Sequence, residues 1–275
     1  MVKILFIDID GTLVRGLGKI SRKNLLAIKK YVELGGKVVL STGRSIVSIR
    51  KCVEQIKKKT NYVPEYAICS TGGYIYNYLD QTAYINPINN ELARKIYEYC
   101  KKNHLIMWSY TENSNQKNAV YSNYPLYWWI AKIFKNLNTL LIKPATDLTS
   151  FKIIVMSRHK ERISQILQWF HQTIPNQINV SVHNKYMLEI NSFGINKGYG
   201  IKFILNKLNL TPEDAAAIGN GANDIPAFSS VKTSFAVNTN KKNIVKSATF
   251  HYNYFNNVIS HVINEHILKQ NDEKK

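Results

Sequence analysis

The sequence contains few cysteines, and they form no recognisable motif. Only Cys52, Cys69 and Cys100 occur among its 275 residues, widely separated and without a Cys-x-x-Cys pair. Small secreted domains usually show an even, dense set of cysteines, and zinc ribbons need closely spaced pairs. The pattern argues against both classes and fits a reducing compartment, so we predict a cytoplasmic protein.

Long hydrophobic runs are also missing. The apolar start at residues 2–7 stops at Asp8, which makes it too short for the core of a signal peptide. A second apolar run, residues 124–134, contains a lysine and falls well below the ~20 residues that span a bilayer. We therefore predict a soluble protein without a membrane partner.

Acidic residues are scarce relative to basic ones. The chain has 37 Lys and Arg but only 18 Asp and Glu, which gives a formal net charge of +19. Such an excess can reflect composition bias, attraction of anionic substrates or nucleic-acid binding. The lysines are scattered, with short clusters at 57–59 and 241–242 and no long basic arm. We rank composition bias first, anion steering second and nucleic-acid binding last.

What is present is the pattern of a folded α/β protein. Apolar residues make up 45% of the chain and charged residues 20%, which excludes a disordered chain, and the length suggests about two domains. Apolar strand-like runs at 2–7, 38–40 and 66–70 alternate with helix-like segments from Ser21 to Gly35 and at about 46–58. This alternation predicts a Rossmann-like, doubly wound parallel sheet.

The alternation is interrupted between about Asp80 and Asn191. That stretch combines helix-like segments near 90–103 and 161–173 with short strand-like pieces at 151–156 and 187–190. Afterwards the first pattern resumes, with a helix near 197–208, strands at 215–218 and 234–237, and a helix near 256–268. We predict a core formed by 1–79 and 192–275 and an inserted α+β cap at 80–191. Tyr127, Trp128 and Trp129 are expected to pack in the cap.

Four polar clusters follow predicted strands or open a helix. Asp8 and Asp10 follow the first strand, Thr42 follows the second, residues 220–224 follow the alanine-rich strand, and Lys197 starts a helix. Ligands of open parallel sheets bind at the carboxyl ends of the strands. We therefore expect these side chains to meet in one crevice although they lie far apart in sequence.

The chemistry of such a crevice points to phosphoryl transfer. Asp8 and Asp10 repel each other unless a cation neutralises them, and Mg²⁺ prefers oxygen ligands. Thr42 and the backbone near Gly43 offer hydrogen-bond donors to an anion, and Lys197 offers a full positive charge. A carboxylate nucleophile, a metal ion and a fixed cation together favour transfer of a phosphoryl group.

The motifs resemble those of the haloacid dehalogenase (HAD) superfamily. DIDGTL at 8–13, TGR at 42–44, Lys197 and GNGAND at 219–224 are similar to its four motifs, in the same order. Only about 31 residues separate Asp10 from Thr42, whereas about 154 separate Thr42 from Lys197, which leaves room for a cap only in the second interval. That spacing resembles the Cof-type branch, mainly phosphatases of sugar phosphates, nucleotides and phosphorylated cofactors.

The resemblance implies catalytic and metal-binding roles. It implies that Asp8 attacks phosphorus to form an aspartyl-phosphate, and that Asp10 protonates the leaving oxygen and then activates water. It also implies Mg²⁺ as cofactor, bound by the Asp8 side chain and the Asp10 backbone carbonyl with help from Asn220 and Asp224. The family usually has an acid at the position of Asn220, so we expect weaker metal affinity here.

The same resemblance implies a set of phosphate-binding residues. Thr42, Lys197 and Asn223 are expected to hold the phosphoryl oxygens, with additional donors from the backbone around Ile9 and Gly43. The substrate is a small phosphorylated molecule whose identity the cap determines, and the protein is expected to act as a monomer or homodimer.

Two other functions remain open at this level. A phosphomutase uses the same two aspartates but returns the phosphoryl group to its substrate. A non-catalytic phosphate- or RNA-binding relative, weakened as an enzyme by Asn220, is the second alternative, and the net charge of +19 is compatible with it.

Overall fold

The computed structural model describes residues 2–16, 18–113, 116–125 and 139–272. The chain divides into two compact units, 1–84 with 196–275 and 85–195. The sequence places the boundaries of the insert at 80 and 191, so each observed boundary lies four or five residues further along the chain. Tyr127, Trp128 and Trp129 lie outside the described residues.

In chain order, the strands of the described residues are β1 (Ile4–Ile7), β2 (Lys37–Ser41), β3 (Tyr66–Cys69), β4 (Tyr74–Asn77), β5 (Thr82–Ile85), β6 (Ile106–Asn113), β7 (Gln116–Ser122), β8 (Thr139–Leu141), β9 (Lys152–Met156), β10 (Ile178–Asn184), β11 (Met187–Ser192), β12 (Ala215–Gly219), β13 (Thr233–Val237) and β14 (Phe250–Tyr252). The α-helices are α1 (Arg22–Glu33), α2 (Ile46–Thr60), α3 (Asn90–Lys102), α4 (Arg162–Thr173), α5 (Lys197–Lys207), α6 (Ile225–Phe228), α7 (Lys242–Ser247) and α8 (Phe255–Asp272).

The sheet of the first unit has the order β14-β13-β12-β1-β2-β3-β4-β5. Its strands from β14 to β3 pair in parallel, and β4 adds to β3 in the antiparallel direction. The predicted doubly wound parallel sheet is therefore confirmed. The antiparallel edge formed by β4 and β5, and the outer strand β14, were not anticipated from the sequence.

The central strands form because their side chains are apolar and buried on both faces. All residues of β1 and β12 are buried, and β1 pairs with β12 so that Ile4 faces Ala215 and Ile7 faces Ile218. Continuous apolar runs of this length are typical of parallel strands that have helices on both faces. These two strands end side by side and thus present the residues that follow them at one edge.

Local sequence signals define the helix that follows β1. The Ser21 hydroxyl accepts a hydrogen bond from the backbone N–H of Asn24, which caps the start of α1. Gly35 follows the end of the helix with a φ of +86°, a conformation that glycine adopts at low cost. The helix predicted from Ser21 to Gly35 is therefore confirmed.

The second unit is a two-layer α+β structure. Its sheet has the order β10-β11-β9-β6-β7-β8, antiparallel except for β7 and β8. Helices α3 and α4 contribute Ile96, Ile166 and Phe170 to a core shared with Ile153 and Leu188 of the sheet. The predicted insert of mixed α and β structure is confirmed, with more strands than the sequence indicated.

No helix within the described ranges is long and apolar enough to cross a membrane. The side chains of Cys52, Cys69 and Cys100 are all buried.

Candidate active site

The parallel strands β1, β2 and β12 place the predicted polar residues that follow them at one edge of the sheet of the first unit. Asp8 follows β1 and is only 5% exposed, and its backbone N–H donates to the carbonyl of Ile218 in β12 at 2.9 Å. Thr42 follows β2 and is 1% exposed, and its N–H donates to the carbonyl of Ile68 in β3 at 2.8 Å. The strand pairing itself therefore places both residues at the carboxyl end of the sheet.

Lys197 lies in the centre of this edge. Its Nζ donates to Asp8 Oδ1 at 2.7 Å and to Asp224 Oδ1 at 2.6 Å, and its side chain is fully buried. The three residues follow β1, start α5 and lie in the loop after β12, and Lys197 is 189 positions from Asp8 and 27 from Asp224 in sequence. The structure thus joins the first, third and fourth motifs in one hydrogen-bonded cluster.

Close backbone packing positions Lys197. The Asn196 side chain caps α5 by accepting a hydrogen bond from the N–H of Tyr199 at 3.0 Å. At Gly198, a Cβ atom would lie 2.4 Å from the carbonyl oxygen of Pro226, so only glycine permits this approach of α5 to α6. The first turn of α5 is therefore fixed on both sides of the lysine.

The charges of this cluster are strongly coupled. Burial is the largest influence on Asp8 and raises its pKa to about 7, opposed by the charge of Lys197 and assisted by that of Asp224. Burial lowers the pKa of Lys197, but Asp224 and Asp8 more than offset this and hold it above its ordinary value. Two carboxylates face one ammonium, so the cluster has one more negative than positive charge when both carboxylates are ionised.

Asp224 also fixes the loop that follows β12. Its second oxygen, Oδ2, accepts hydrogen bonds from the backbone N–H groups of Asn220 and Gly221, both at 2.9 Å. A Cβ at Gly219 would lie 2.3 Å from Asp224 Cγ, so the carboxylate packs directly on the glycine backbone. Both oxygens of Asp224 are thus engaged by the protein, one by Lys197 and one by the loop.

Asp10 points to a different partner. Its side chain is 57% exposed and forms a two-point ion pair with Arg44: Nε donates to Oδ2 at 2.8 Å, and Nη2 donates to Oδ1. The hydrogen bond to Asp10 raises the pKa of Arg44. The sequence left Arg44 out of the catalytic set, although the TGR motif placed it two residues from Thr42. The structure adds it to the site.

A turn after β3 supports Thr42, a contact that the sequence reasoning did not predict. Ser70 and Thr71 both have positive φ angles, 49° and 57°, and both are buried. The N–H of Thr71 donates to the carbonyl of Thr42 at 3.0 Å. Because non-glycine residues rarely adopt this conformation, two in succession indicate a turn held by its surroundings. The Ser-Thr-Gly-Gly sequence at 70–73 was the available signal.

Asn220 and Asn223 lie in the loop after β12, both partly exposed. The Asn220 amide packs on Gly11, where a Cβ would lie 1.9 Å from Nδ2 and where φ is +80°. Gly43 lies between Thr42 and Arg44, and Ile9 is fully buried between the two aspartates. All residues predicted for the site therefore belong to the first unit and follow β1, β2 or β12 or open α5.

The donor set suits a hard cation. Within the described ranges, no group of three His, Cys, Asp or Glu side chains is arranged to hold a metal ion. The available ligands are oxygens: the Asp8 carboxylate, the Asp10 carbonyl and the Asn220 amide. Mg²⁺ accepts such ligands and commonly keeps water and substrate oxygens in its shell. When Asp8 and Asp224 are both ionised, their surplus negative charge attracts a cation to the site.

A family model of the haloacid dehalogenase-like hydrolases matches residues 5–263. The chain belongs to this family. The match covers both units, and the predicted membership of the HAD superfamily, in its Cof-type branch, is confirmed. So is the prediction that the protein is an enzyme, a phosphatase of this superfamily.

Several relatives align with most of the length of this HAD hydrolase. MG125 of Mycoplasma genitalium is 25% identical over 284 residues, covering 98% of this chain and 99% of its own. The 5-amino-6-(5-phospho-D-ribitylamino)uracil phosphatase YcsE of Bacillus subtilis is 22% identical over 245 residues, covering 89% and 87%. The HAD subclass IIB sugar phosphatase BT4131 superposes with a TM-score of 0.78 at 18% identity, covering 94% and 98%. This last likeness shows the shared fold.

Proposed function

We propose that this HAD hydrolase is a Mg²⁺-dependent phosphatase of small phosphorylated metabolites that works through an aspartyl-phosphate on Asp8. The observation that carries the proposal is the buried Asp8–Lys197–Asp224 cluster at the carboxyl edge of the parallel sheet. A carboxylate held in place by a lysine, with further negative charge beside it, is suited to attack a bound phosphoryl group once a cation is present.

The first half-reaction uses Asp8 and Asp10. Lys197 fixes Asp8 Oδ1, so the orientation of the carboxylate is set before the substrate binds. In this proposal an oxygen of Asp8 forms a bond to phosphorus while the bond from phosphorus to the substrate oxygen breaks. Asp10 gives a proton to that departing oxygen, so the product leaves as an alcohol.

The second half-reaction regenerates the enzyme. Asp10, now ionised, takes a proton from a water molecule that attacks phosphorus, and the bond between phosphorus and Asp8 breaks. Inorganic phosphate is released and Asp10 recovers its proton. Because Arg44 holds the ionised Asp10 by two hydrogen bonds, we assign Arg44 the role of positioning this carboxylate for the second step.

The remaining residues bind the phosphoryl group. We assign its oxygens to the Thr42 hydroxyl, the Lys197 ammonium and the Asn223 amide, with the backbone N–H groups around Ile9 and Gly43 as further donors. Thr42 lies on the strand next to Asp8, and its carbonyl is held by Thr71. In this proposal these donors are in place before the transition state forms, so they stabilise the charge on the phosphoryl oxygens without having to reorganise.

Asp8, the Asp10 carbonyl and Asn220 would hold Mg²⁺. When bound, the ion neutralises the surplus negative charge and draws electron density from the phosphoryl oxygens. The motif resemblance implies that Asp224 is a ligand as well, but both of its oxygens already accept hydrogen bonds from the protein. We therefore propose that Asp224 mainly orients Lys197 and the loop at 220–221.

We assign selection of the substrate to the second unit, which has its own core and sheet. Candidate substrates are sugar phosphates, nucleotides and phosphorylated cofactors, and the proposed site of action is the cytoplasm, as a monomer or homodimer. The named phosphatase relative YcsE acts on a phosphorylated ribityl compound, as its name states. This compound belongs in the panel to be tested.

The test is release of inorganic phosphate from such a panel, with and without Mg²⁺, by the wild-type protein and by Asp8→Asn. We expect release that needs both Mg²⁺ and the Asp8 carboxylate. Formation of an isomeric phosphate ester without free phosphate would instead identify a phosphomutase. Absence of turnover with every substrate, including p-nitrophenyl phosphate, would reject the enzymatic proposal.

A further inference from the structure

The first unit contains a cavity lined by residues other than the proposed catalytic and phosphate-binding ones. It has a volume of about 530 Å³ and is formed by two segments that are distant in sequence, around α1 and at the start of α8. Its lining residues are Leu13, Arg15, Lys19, Ser21, Lys23, Asn24, Tyr254, Phe255, Asn256 and Asn257. Leu13 belongs to the first motif, and its N–H donates to the carbonyl of Asp8 at 3.3 Å, but none of Asp8, Asp10, Thr42, Lys197 or the loop 220–224 lines the cavity.

The charge of this cavity is entirely of one sign. Three of its lining side chains are cationic, Arg15, Lys19 and Lys23, and none of the lining residues is acidic. All three cationic residues are exposed to solvent. Since exposed cations usually spread out or pair with acids to limit repulsion, three around one concavity favour a multiply charged anion.

The other lining groups are suited to an organic ligand. Arg15 lies over the ring of Tyr254, with Cζ 4.9 Å from the ring centre, and also donates to the carbonyl of Asn253. This fixes Arg15 while Tyr254 remains 55% exposed. Asn256 and Asn257 supply amide groups beside it. A flat aromatic surface next to amides and cations is the combination that binds a base together with its phosphate.

The walls of the cavity are held in place by hydrogen bonds. The Asn24 side chain donates to the carbonyl of Leu13 at 2.9 Å, and the N–H of Ile20 donates to Gln55 Oε1 at 3.0 Å. The N–H of Asn257 donates to the carbonyl of Tyr254 at 3.2 Å. The site is therefore largely formed before a ligand arrives, which lowers the entropic cost of binding.

We propose that this cavity binds a nucleoside phosphate, with the phosphate held by Lys19, Lys23 and Arg15 and the base on Tyr254. The concave shape and the volume fit a small molecule rather than a nucleic-acid strand, which needs an open groove along the surface. The proposed site uses none of the proposed catalytic residues, and the proposal does not depend on the proposed phosphatase reaction.

The test is calorimetric titration of the full-length protein, carried as Asp8→Asn and kept in EDTA so that the probe is not hydrolysed. The probes are AMP, ribose 5-phosphate and inorganic phosphate. We expect AMP to show a binding event that Lys19→Ala with Lys23→Ala weakens by about tenfold or more, as loss of two charged hydrogen bonds implies. The matched control is Lys58→Ala with Lys59→Ala, which removes the same charge from exposed positions at the end of α2.

Each result decides one part of the proposal. An equal loss of AMP affinity in both double variants would show a general effect of net charge and overturn the site. No loss in either would place all AMP binding elsewhere, which also overturns it. Tyr254→Ala should weaken AMP binding more than ribose 5-phosphate binding, because the ring contacts the base directly but supports the phosphate only through Arg15. If all three probes bind equally and Tyr254→Ala changes nothing, the assignment of a nucleoside is wrong.

Discussion

Each unit of the molecule contains a buried lysine, and the two lysines differ in their contacts with carboxylate side chains. Lys197 in the first unit is fully buried and donates hydrogen bonds of 2.7 and 2.6 Å to two carboxylates. Lys152 in the second unit is 4% exposed and lies 3.8 Å from Glu189 and 4.6 Å from the centre of the Tyr110 ring. The first contact is short and charge-assisted, whereas the second is an ion pair beyond hydrogen-bond distance.

The two lysines also differ in the balance of charge around them. Lys152 and Glu189 lie on adjacent strands, β9 and β11, of a sheet whose opposite face forms the core of the second unit. An ammonium over an aromatic face beside a carboxylate is a stable way to bury a charge. The Lys197 cluster instead has one surplus negative charge. Proteins tolerate such local imbalance mainly where function requires it.

The largest expected effect comes from replacing Asp8, the proposed nucleophile in the Asp8–Lys197–Asp224 cluster. Asp8→Asn should abolish turnover, because an amide cannot act as the carboxylate nucleophile. The unfolding free energy should not fall, since the substitution also removes the repulsion between Asp8 and Asp224 and leaves Lys197 with one acid. Phosphate release and urea unfolding measure the two quantities. Activity above a few per cent of wild type would remove Asp8 from this role.

The next largest effect concerns stability and tests the comparison directly. Lys197→Met leaves two carboxylates within about 5 Å of each other and should destabilise the protein by ~3–5 kcal/mol, the usual cost of breaking a buried ion pair. Lys152→Met leaves one carboxylate, so it should cost less. Urea unfolding of both variants gives the comparison.

A double variant tests whether Lys197→Met lowers the unfolding free energy through charge or through altered packing. Asp8→Asn combined with Lys197→Met leaves a single acid in the cluster and should recover part of the lost unfolding free energy. Equal destabilisation by the two lysine substitutions, with no recovery in the double variant, would show that charge imbalance is not what distinguishes the two sites.

The proton-transfer residue should show a smaller loss. Asp10→Asn is expected to reduce the turnover rate by about 10²–10⁴, the usual contribution of a general acid–base group. Because Asp10 is exposed and outside the Lys197 cluster, the unfolding free energy should change little. Arg44→Lys is the companion variant: it keeps the charge and loses the two-point geometry, so it should reduce the turnover rate more than substrate affinity. Wild-type rates for Asp10→Asn would make that carboxylate structural.

Much of the fold could be predicted because it depends on short-range patterns. The apolar runs of β1, β2 and β12 and the cap of α1 are visible in the sequence, and so is the interruption that marks the second unit. The strands β6, β7 and β10 were missed because they mix apolar, polar and aromatic residues. The edge strands β4 and β5 were missed because a turn with positive φ at Ser70 and Thr71 reverses the chain.

The candidate site divides in the same way. Residues that directly follow strands could be predicted to meet, since parallel pairing alone brings them to one edge. The pairing of Arg44 with Asp10 depends on the reach of a long side chain, which sequence spacing does not specify. The cavity proposed to bind a nucleoside phosphate could not be predicted either, because its cations and Tyr254 come from segments about 230 residues apart.

The smallest expected effect concerns the residue at which the fourth motif departs from its family pattern. Asn220→Asp replaces a neutral amide oxygen by a carboxylate next to a cluster that already has surplus negative charge. Mg²⁺ prefers charged oxygens, so the Mg²⁺ concentration for half-maximal activity should fall by about tenfold, which corresponds to ~1.4 kcal/mol.

Without Mg²⁺ the Asn220→Asp variant should be less stable than wild type, because a further carboxylate adds repulsion. The two shifts have opposite signs, so phosphate release against Mg²⁺ concentration and unfolding in EDTA together separate metal binding from a simple loss of packing on Gly11. Asn243→Asp, which adds the same charge at an exposed position of α7, is the matched control and should change neither quantity. If the Mg²⁺ curves of wild type and Asn220→Asp coincide, position 220 is not a ligand. Of the proposed protein ligands, only Asp8 and the Asp10 carbonyl would then hold the ion that neutralises the cluster.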